Sequence, residues 1–239
     1  METKKWIILE NNPEVMNSLA SKLGLSDELS FYDVWSFDEP ELLAHIPRPA
    51  LALLVIMPMT PTWKAEREAE DAGKEDYQGR GPEEPVIWFK QTIGNACGSI
   101  GFLHCAINGP AAEYIRPGSD LDEIRRQAIP LGMKERADLL YNSVPFEKAH
   151  ESCVHLGDTV APDEDRHGQH FVAFVKANGR LWELEGSRKG PIDRGALADD
   201  EDVLSPKALD MGFRRVIRLE QQAGGTNWRF SCIALSRKA

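Results

Sequence analysis

Residues 168–186 constrain the fold of this chain more than any other stretch. Two apolar-rich runs flank Asn178-Gly179. That dipeptide is the strongest short signal for a two-residue β-hairpin turn, because both central positions need a positive φ that Asn and Gly tolerate. The turn fixes the register, pairing Ala177 with Arg180, Val175 with Trp182, Ala173 with Leu184 and Val172 with Glu185. One face then collects Phe171, Ala173, Val175, Trp182, Leu184 and Gly186, an apolar set that belongs in a core. The other collects His170, Val172, Phe174, Lys176, Leu181, Glu183 and Glu185. On this second face His170 lies diagonal to Glu185, within reach of long side chains. A one-residue slip would separate the two. The pair is either an exposed ion pair on a wet sheet face or an imidazole held by a carboxylate for chemistry.

The rest of the chain supplies helices and strands in irregular alternation. Asn12-Pro13-Glu14 reads as a helix start, with Val15, Met16, Leu19 and Leu23 at helical spacing and Gly24 as the stop. Leu51–Met57 has the length and composition of a strand buried on both faces. Trp63–Pro85 carries eight acids against four bases and reads as an exposed helix followed by a loop, or a loop throughout. Helical patterns recur after Gly98, at Leu121–Ile124 and at Gly132–Val144. Residues 151–168 have no usable periodicity and are long for a connection. Phe213–Leu219 and Trp228–Leu235 read as strands, with Gln221–Asn227 as the turn between them. No repeat or boundary interrupts residues 1–239, so the expected architecture is a single α/β (α+β) domain.

Lys plus Arg is 28 and Asp plus Glu is 38, a formal net charge of −10. That balance argues against nucleic acid as a partner, since phosphates need a basic face. The longest apolar run, Leu51–Met59, is far short of the ~20 residues that cross a bilayer. No signal-peptide or lipidation pattern is visible, so a cytosolic or nuclear monomer is expected. Cys97, Cys105, Cys153 and Cys232 should then be reduced.

Of these cysteines, Cys97 is the candidate for chemistry. It stands among small residues in Asn95-Ala96-Cys97-Gly98-Ser99, where a helix begins. A helix N-terminus stabilises a thiolate, which is the nucleophilic form, and small neighbours leave room for a substrate carbonyl. Gln91, six residues upstream, could donate to a developing oxyanion together with the Cys97 backbone N–H. The competing reading is a small buried residue at a close helix contact. His150, Cys153 and His155 lack the second ligand pair of a zinc site, so no metal is expected. The mechanism suggested by these residues needs no cofactor.

Gln91-Thr-Ile-Gly-Asn-Ala-Cys97-Gly-Ser-Ile-Gly resembles the nucleophile motif of the ubiquitin carboxyl-terminal hydrolase (UCH) family of cysteine proteases. His170-Phe171 with Leu181-Trp-Glu-Leu-Glu185-Gly186 resembles its second motif, and Trp6-Ile-Ile-Leu-Glu-Asn-Asn-Pro13-Glu-Val its N-terminus. The resemblance is to the small single-domain members and runs nearly end to end. It implies a papain-like architecture with a central antiparallel sheet and a knotted backbone. It also implies Cys97 as nucleophile, His170 as general base and acid, Gln91 as oxyanion donor and a carboxylate orienting the histidine. Here the sequence departs from the pattern: the family has Asp where this chain has Glu185, one methylene longer. Ubiquitin, or a ubiquitin-like modifier, is the implied partner, and a non-catalytic ubiquitin-binding module is the reading from another class. By position, Ile8, Leu9, Glu10, Asn11, Asn12 and Pro13, with Asp158, Gln221 and Asn227, are implied substrate contacts. An ordinary helix entry and an ordinary loop would explain the same residues. The implied loop crossing the active site is about 152–168, which favours small adducts and peptide extensions as leaving groups.

Overall fold

The computed structural model describes residues 4–157, 168–225 and 230–238. In chain order the elements are α1 (Pro13–Leu23), β1 (Leu29–Asp33), α2 (Pro40–Leu43), β2 (Ala50–Pro58), α3 (Pro61–Asp71), α4 (Cys97–Ile107), α5 (Asp120–Ala128), α6 (Met133–Tyr141) and α7 (Val144–Glu151). They continue with β3 (Gln169–Ala177), β4 (Arg180–Leu184), β5 (Ile192–Ala196), α8 (Pro206–Met211), α9 (Phe213–Gln222) and β6 (Ser231–Arg237). The strands form one antiparallel sheet in the order β1-β6-β2-β3-β4-β5.

The hairpin has the register its sequence dictates: Ala173 faces Leu184, Val175 faces Trp182 and Ala177 faces Arg180. Asn178 and Gly179 both have positive φ, 51° and 68°, the backbone of a type I′ turn. Helix α1 starts as its sequence predicts. Asn12 accepts a hydrogen bond from the Val15 N–H, and Gly24 closes the helix at φ 102°.

The second face of the hairpin is not wet. Both faces of the sheet carry helices, so each central strand alternates between two cores. Leu54, Phe171, Ala173 and Val175 pack with Val15 and Leu19 of α1, Ile100 and Leu103 of α4 and Phe146 of α7. Leu53, Val55, Val172, Phe174 and Leu181 pack on the other side with Trp63 of α3, Leu209 of α8 and Phe213 and Val216 of α9. Burying each such large apolar side chain stabilises by roughly 1.5–3 kcal/mol. A polar residue on the second face must therefore be paired, and Glu183 and Glu185 are both buried.

Two further expectations are corrected. Phe213–Leu219 is helical, within α9, with Phe213, Val216 and Glu220 buried at helical spacing, and Arg215 between them pairs with Glu66 of α3. Gln221, expected in a turn between strands, is instead exposed in the last turn of α9. Several acids of the stretch 63–85, expected to be exposed, are paired. Glu70 pairs with Arg188 and Arg194, Asp71 with Arg188, Glu66 with Arg215, and Glu84 with a fully buried Arg136. The backbone path between Gly157 and Gly168, on which the expected knot depends, lies outside the described residues.

Candidate active site

Cys97 is the first residue of α4. The approach to it is set by Asn95, whose φ of 62° is left-handed and whose Nδ2 donates to the Trp6 carbonyl at 3.1 Å. The N-terminal segment runs parallel to this turn: Trp6 N–H donates to Gly94 O at 2.9 Å, and Gly94 N–H to Lys4 O at 2.8 Å. The small residues after Cys97 serve packing rather than substrate access. A Cβ on Gly98 would stand 3.2 Å from the Phe171 ring and 3.3 Å from Leu9, and one on Gly101 2.6 Å from Leu54. Helix α4 can thus lie directly on the sheet. Cys97 itself is partly exposed, whereas Cys105, Cys153 and Cys232 are buried.

His170, the second residue of β3, is 9% exposed. Its Nε2 lies 2.5 Å from Glu185 Oε1, so the other ring nitrogen is left for the Cys97 thiol. Burial opposes the imidazolium, but hydrogen bonds to Cys97 and Glu185 outweigh it and raise the His170 pKa to about 10. Glu185 is buried, which alone would favour its neutral form. The His170 bond and charge, the Arg67 charge and the Ser187 N–H, which donates to Oε1 at 2.7 Å, instead lower its pKa to about 2. The pair is therefore imidazolium and carboxylate at neutral pH.

Gln91 lies beside them. Its backbone N–H donates to Gly186 O at 2.8 Å. One N–H of its amide is anchored on Ile93 O at 3.2 Å, leaving the second to donate elsewhere. A cleft of about 580 Å³ joins Gln91, Asn95, Cys97 and His170 with Ile8, Leu9, Glu10 and Asn11. Four of the positional substrate candidates thus meet the reactive groups. Asn12 and Pro13 do not line the cleft; they cap and open α1. Gln221 does not line it either, and Asp158 and Asn227 lie outside the described residues. A larger cavity, about 1170 Å³, sits at the hairpin-turn end of the sheet and contains none of the reactive groups.

Sequence reasoning missed several lining and supporting residues. Ile56, Met59, Phe230 and Ser231 line the cleft. Arg67 and Ser187 hold Glu185, and only the tertiary packing of α3 on the hairpin brings Arg67 there. His150 is likewise no ligand. Its Nδ1 pairs with Ser99 Oγ at 2.8 Å and its Nε2 donates to Ile7 O at 2.9 Å, tying the N-terminal segment to α4 and α7.

Comparison with known proteins identifies the family of the chain. The model of ubiquitin carboxyl-terminal hydrolase family 1 matches residues 6–217. Ubiquitin carboxyl-terminal hydrolase 3 of Arabidopsis thaliana is 36% identical over 239 residues, covering 99% of this chain and 96% of that protein. A ubiquitin carboxyl-terminal hydrolase of Aplysia californica is 36% identical over 198 residues, 82% of this chain and 89% of its own. The catalytic domain of Trichinella spiralis UCH37, solved bound to ubiquitin vinyl methyl ester, shares the fold with a TM-score of 0.73 at 21% identity, over 98% of this chain and 96% of that one. The chain therefore belongs to family 1 of the ubiquitin carboxyl-terminal hydrolases.

Proposed function

We propose that this protein is a thiol-dependent deubiquitinase whose catalytic unit is residues 1–239, with Cys97, His170, Glu185 and Gln91 as its machinery. The observation that carries the reading is the buried Glu185–His170 pair aimed at the partly exposed Cys97 on the floor of one cleft. The Cys97 thiolate attacks the carbonyl of the C-terminal glycine of ubiquitin. Negative charge builds on the carbonyl oxygen, where the Cys97 backbone N–H at the start of α4 and the Gln91 amide donate to it. Collapse of the tetrahedral species breaks the scissile bond, and protonated His170 gives its proton to the departing amine or thiol. Neutral His170 then takes a proton from water, which hydrolyses the thioester and returns the Cys97 sulfur. Glu185 keeps the imidazole in one orientation and stabilises its charged form throughout.

The cleft wall formed by Ile8, Leu9, Glu10 and Asn11 would receive the ubiquitin tail. Asn11 supports this role, because its buried Nδ2 donates to Leu54 O and Ser231 O while its Oδ1 has no partner among the described residues. Small adducts and peptide extensions are the proposed leaving groups, and a cytosolic or nuclear monomer the proposed setting. Incubation with ubiquitin bearing a C-terminal electrophile tests the reading. A covalent adduct that disappears in Cys97→Ala is expected. Tight binding without an adduct would make the protein a binding module, and no binding would remove ubiquitin as its partner.

A further inference from the structure

Helix α3 comes back to the reactive groups through a single side chain. Arg67 stacks over the Trp63 ring, its guanidinium carbon 4.7 Å from the ring centroid. Trp63 is buried one helical turn earlier, wedged into the core beneath the sheet. The arginine is thereby held on one side by an aromatic plane, and its Nη2 donates both to Glu185 Oε2 and to Ser187 Oγ. Its side chain is 12% exposed and that of Glu185 is 0% exposed. Glu185 is thus fixed at both oxygens. Oε1 takes the Ser187 N–H and faces His170, and Oε2 takes the guanidinium. The strand end itself is pinned as well, since Trp88 Nε1 donates to the Glu185 carbonyl at 3.2 Å.

We propose that Arg67 is a positioning residue of this hydrolase, which acts through Glu185 by occupying Oε2 and so leaving Oε1 for the His170 imidazole. The proposal rests on the catalytic reading given above. A carboxylate on a side chain one methylene longer than aspartate has an extra torsion to lose, and a fixed cation on its far oxygen removes that freedom. The Arg67 charge also favours the ionised form of Glu185. His170 on β3 and His104 on α4 are also coupled to this carboxylate, and Lys90 Nζ donates to the Ser187 and Arg188 carbonyls in the turn that follows it. Burial keeps His104 neutral, with its pKa lowered to about 3.

The test compares Arg67→Gln, Arg67→Lys and Glu185→Gln with the parent, and Arg67→Gln in the Glu185→Gln background. The measurements are kcat, KM and the pH profile of ubiquitin-adduct hydrolysis, with thermal unfolding to confirm that each variant is folded. Arg67→Gln should lower kcat roughly 10- to 100-fold with little change in KM, the size expected when a reacting group is misplaced. Its acid limb should move to higher pH as Glu185 becomes easier to protonate. Arg67→Lys should recover part of the loss, since it restores the charge without the planar guanidinium that stacks on Trp63. In the Glu185→Gln background, Arg67→Gln should cost less than threefold. An Arg67→Gln enzyme with parental kcat and acid limb, or one whose loss is undiminished in the Glu185→Gln background, overturns the proposal. Loss of activity in Cys97→Ala and Glu185→Gln in the same experiment would show that the catalytic reading survives such a failure. If either of those variants retained full activity, the catalytic reading itself would fall first. Should Arg67→Gln not fold, Arg67→Lys alone still decides: a partial loss of kcat with a raised acid limb supports the proposal, and a parental kcat and acid limb overturns it.

Discussion

Two residues just past β4 show how much chemistry depends on single atoms. Glu185→Gln keeps the shape but removes the charge that stabilises the imidazolium, so kcat should fall by roughly 10²–10⁴-fold with KM little changed. Steady-state hydrolysis of a ubiquitin C-terminal adduct measures this, and a parental kcat would remove Glu185 from the machinery. The neighbouring Gly186 has a different reason to be there. A Cβ at this position would meet Gln91 Cβ at 2.9 Å, Gln91 N at 3.2 Å and Phe89 O at 3.3 Å. Gly186→Ala should therefore push the Gln91 segment off the hairpin, and with it the oxyanion donor. A loss of about tenfold in kcat/KM, corresponding to about 1.4 kcal/mol, is expected, and an unchanged value would mean that the Gln91 segment shifts without consequence. The sequence already put His170, Glu185, Gln91 and Cys97 in line as candidates. It did not disclose Gly186 as a contact, because the residue it must clear is 95 positions away.

At the scale of elements, helix α3 and the segment after it carry the largest revision. They read as an exposed stretch in the sequence, yet Glu66, Glu70, Asp71 and Glu84 are fastened to arginines from β5, α6, α9 and the turn after β4. Glu84 and Arg136 make the most buried of these pairs, with side chains 1% and 0% exposed, and the Arg136 Nε also donates to Ala128 O at 2.8 Å. Glu84→Gln leaves a buried guanidinium without its counter-charge, which should cost about 3–5 kcal/mol of stability. Urea unfolding followed by tryptophan fluorescence reads this directly, and a loss below 1 kcal/mol would mean that water reaches the pair. Elements with strong local signals were legible: α1 from its cap, the hairpin from Asn178-Gly179, β2 from its unbroken apolar run. The segment Phe213–Leu219 was not. Its apolar residues are too few to separate periods of two and 3.6, and only the burial of Phe213 and Val216 in one core with Met57, and the Phe213–Phe230 ring contact, reveal the helical face.

For the whole molecule, titration of buried groups predicts a stability that erodes with acid in two overlapping stages. His104 and His150 are buried and neutral, with pKa values lowered from 6.5 to about 3 and about 4. Unfolding lets them take protons sooner, so stability declines as pH falls below 6.5 and levels only below those folded values. Glu70 and Glu185 follow. Burial would raise both, but Arg194, Arg215 and Arg188 around Glu70, and His170 and Arg67 around Glu185, hold each at about 2. Their contribution is present above the ordinary 4.5 and is lost as pH falls through 2. His170 has the opposite sign: its contribution is full below 6.5 and lost as pH rises through about 10. Denaturation midpoints should therefore fall steadily from pH 7 to pH 3, and a flat profile between pH 6.5 and 4 would contradict the neutral burial of His104 and His150.

By itself the sequence determined what is local. A turn that needs two positive φ values sets the hairpin register, and the register sets His170 beside Glu185; a helix start sets Cys97 at a positive dipole; motifs of this kind also mark the family. These follow from backbone sterics and short-range pairing, which act over a few residues. Tertiary structure decided that both faces of the hairpin are buried, which turned an ordinary surface pair into a desolvated one with shifted pKa values. It also decided that Arg67 reaches Glu185 and that Ile8–Asn11 shares a cleft with Cys97. Those facts depend on which helix covers which face of the sheet, and that is set by the summed burial of many distant side chains rather than by any one segment.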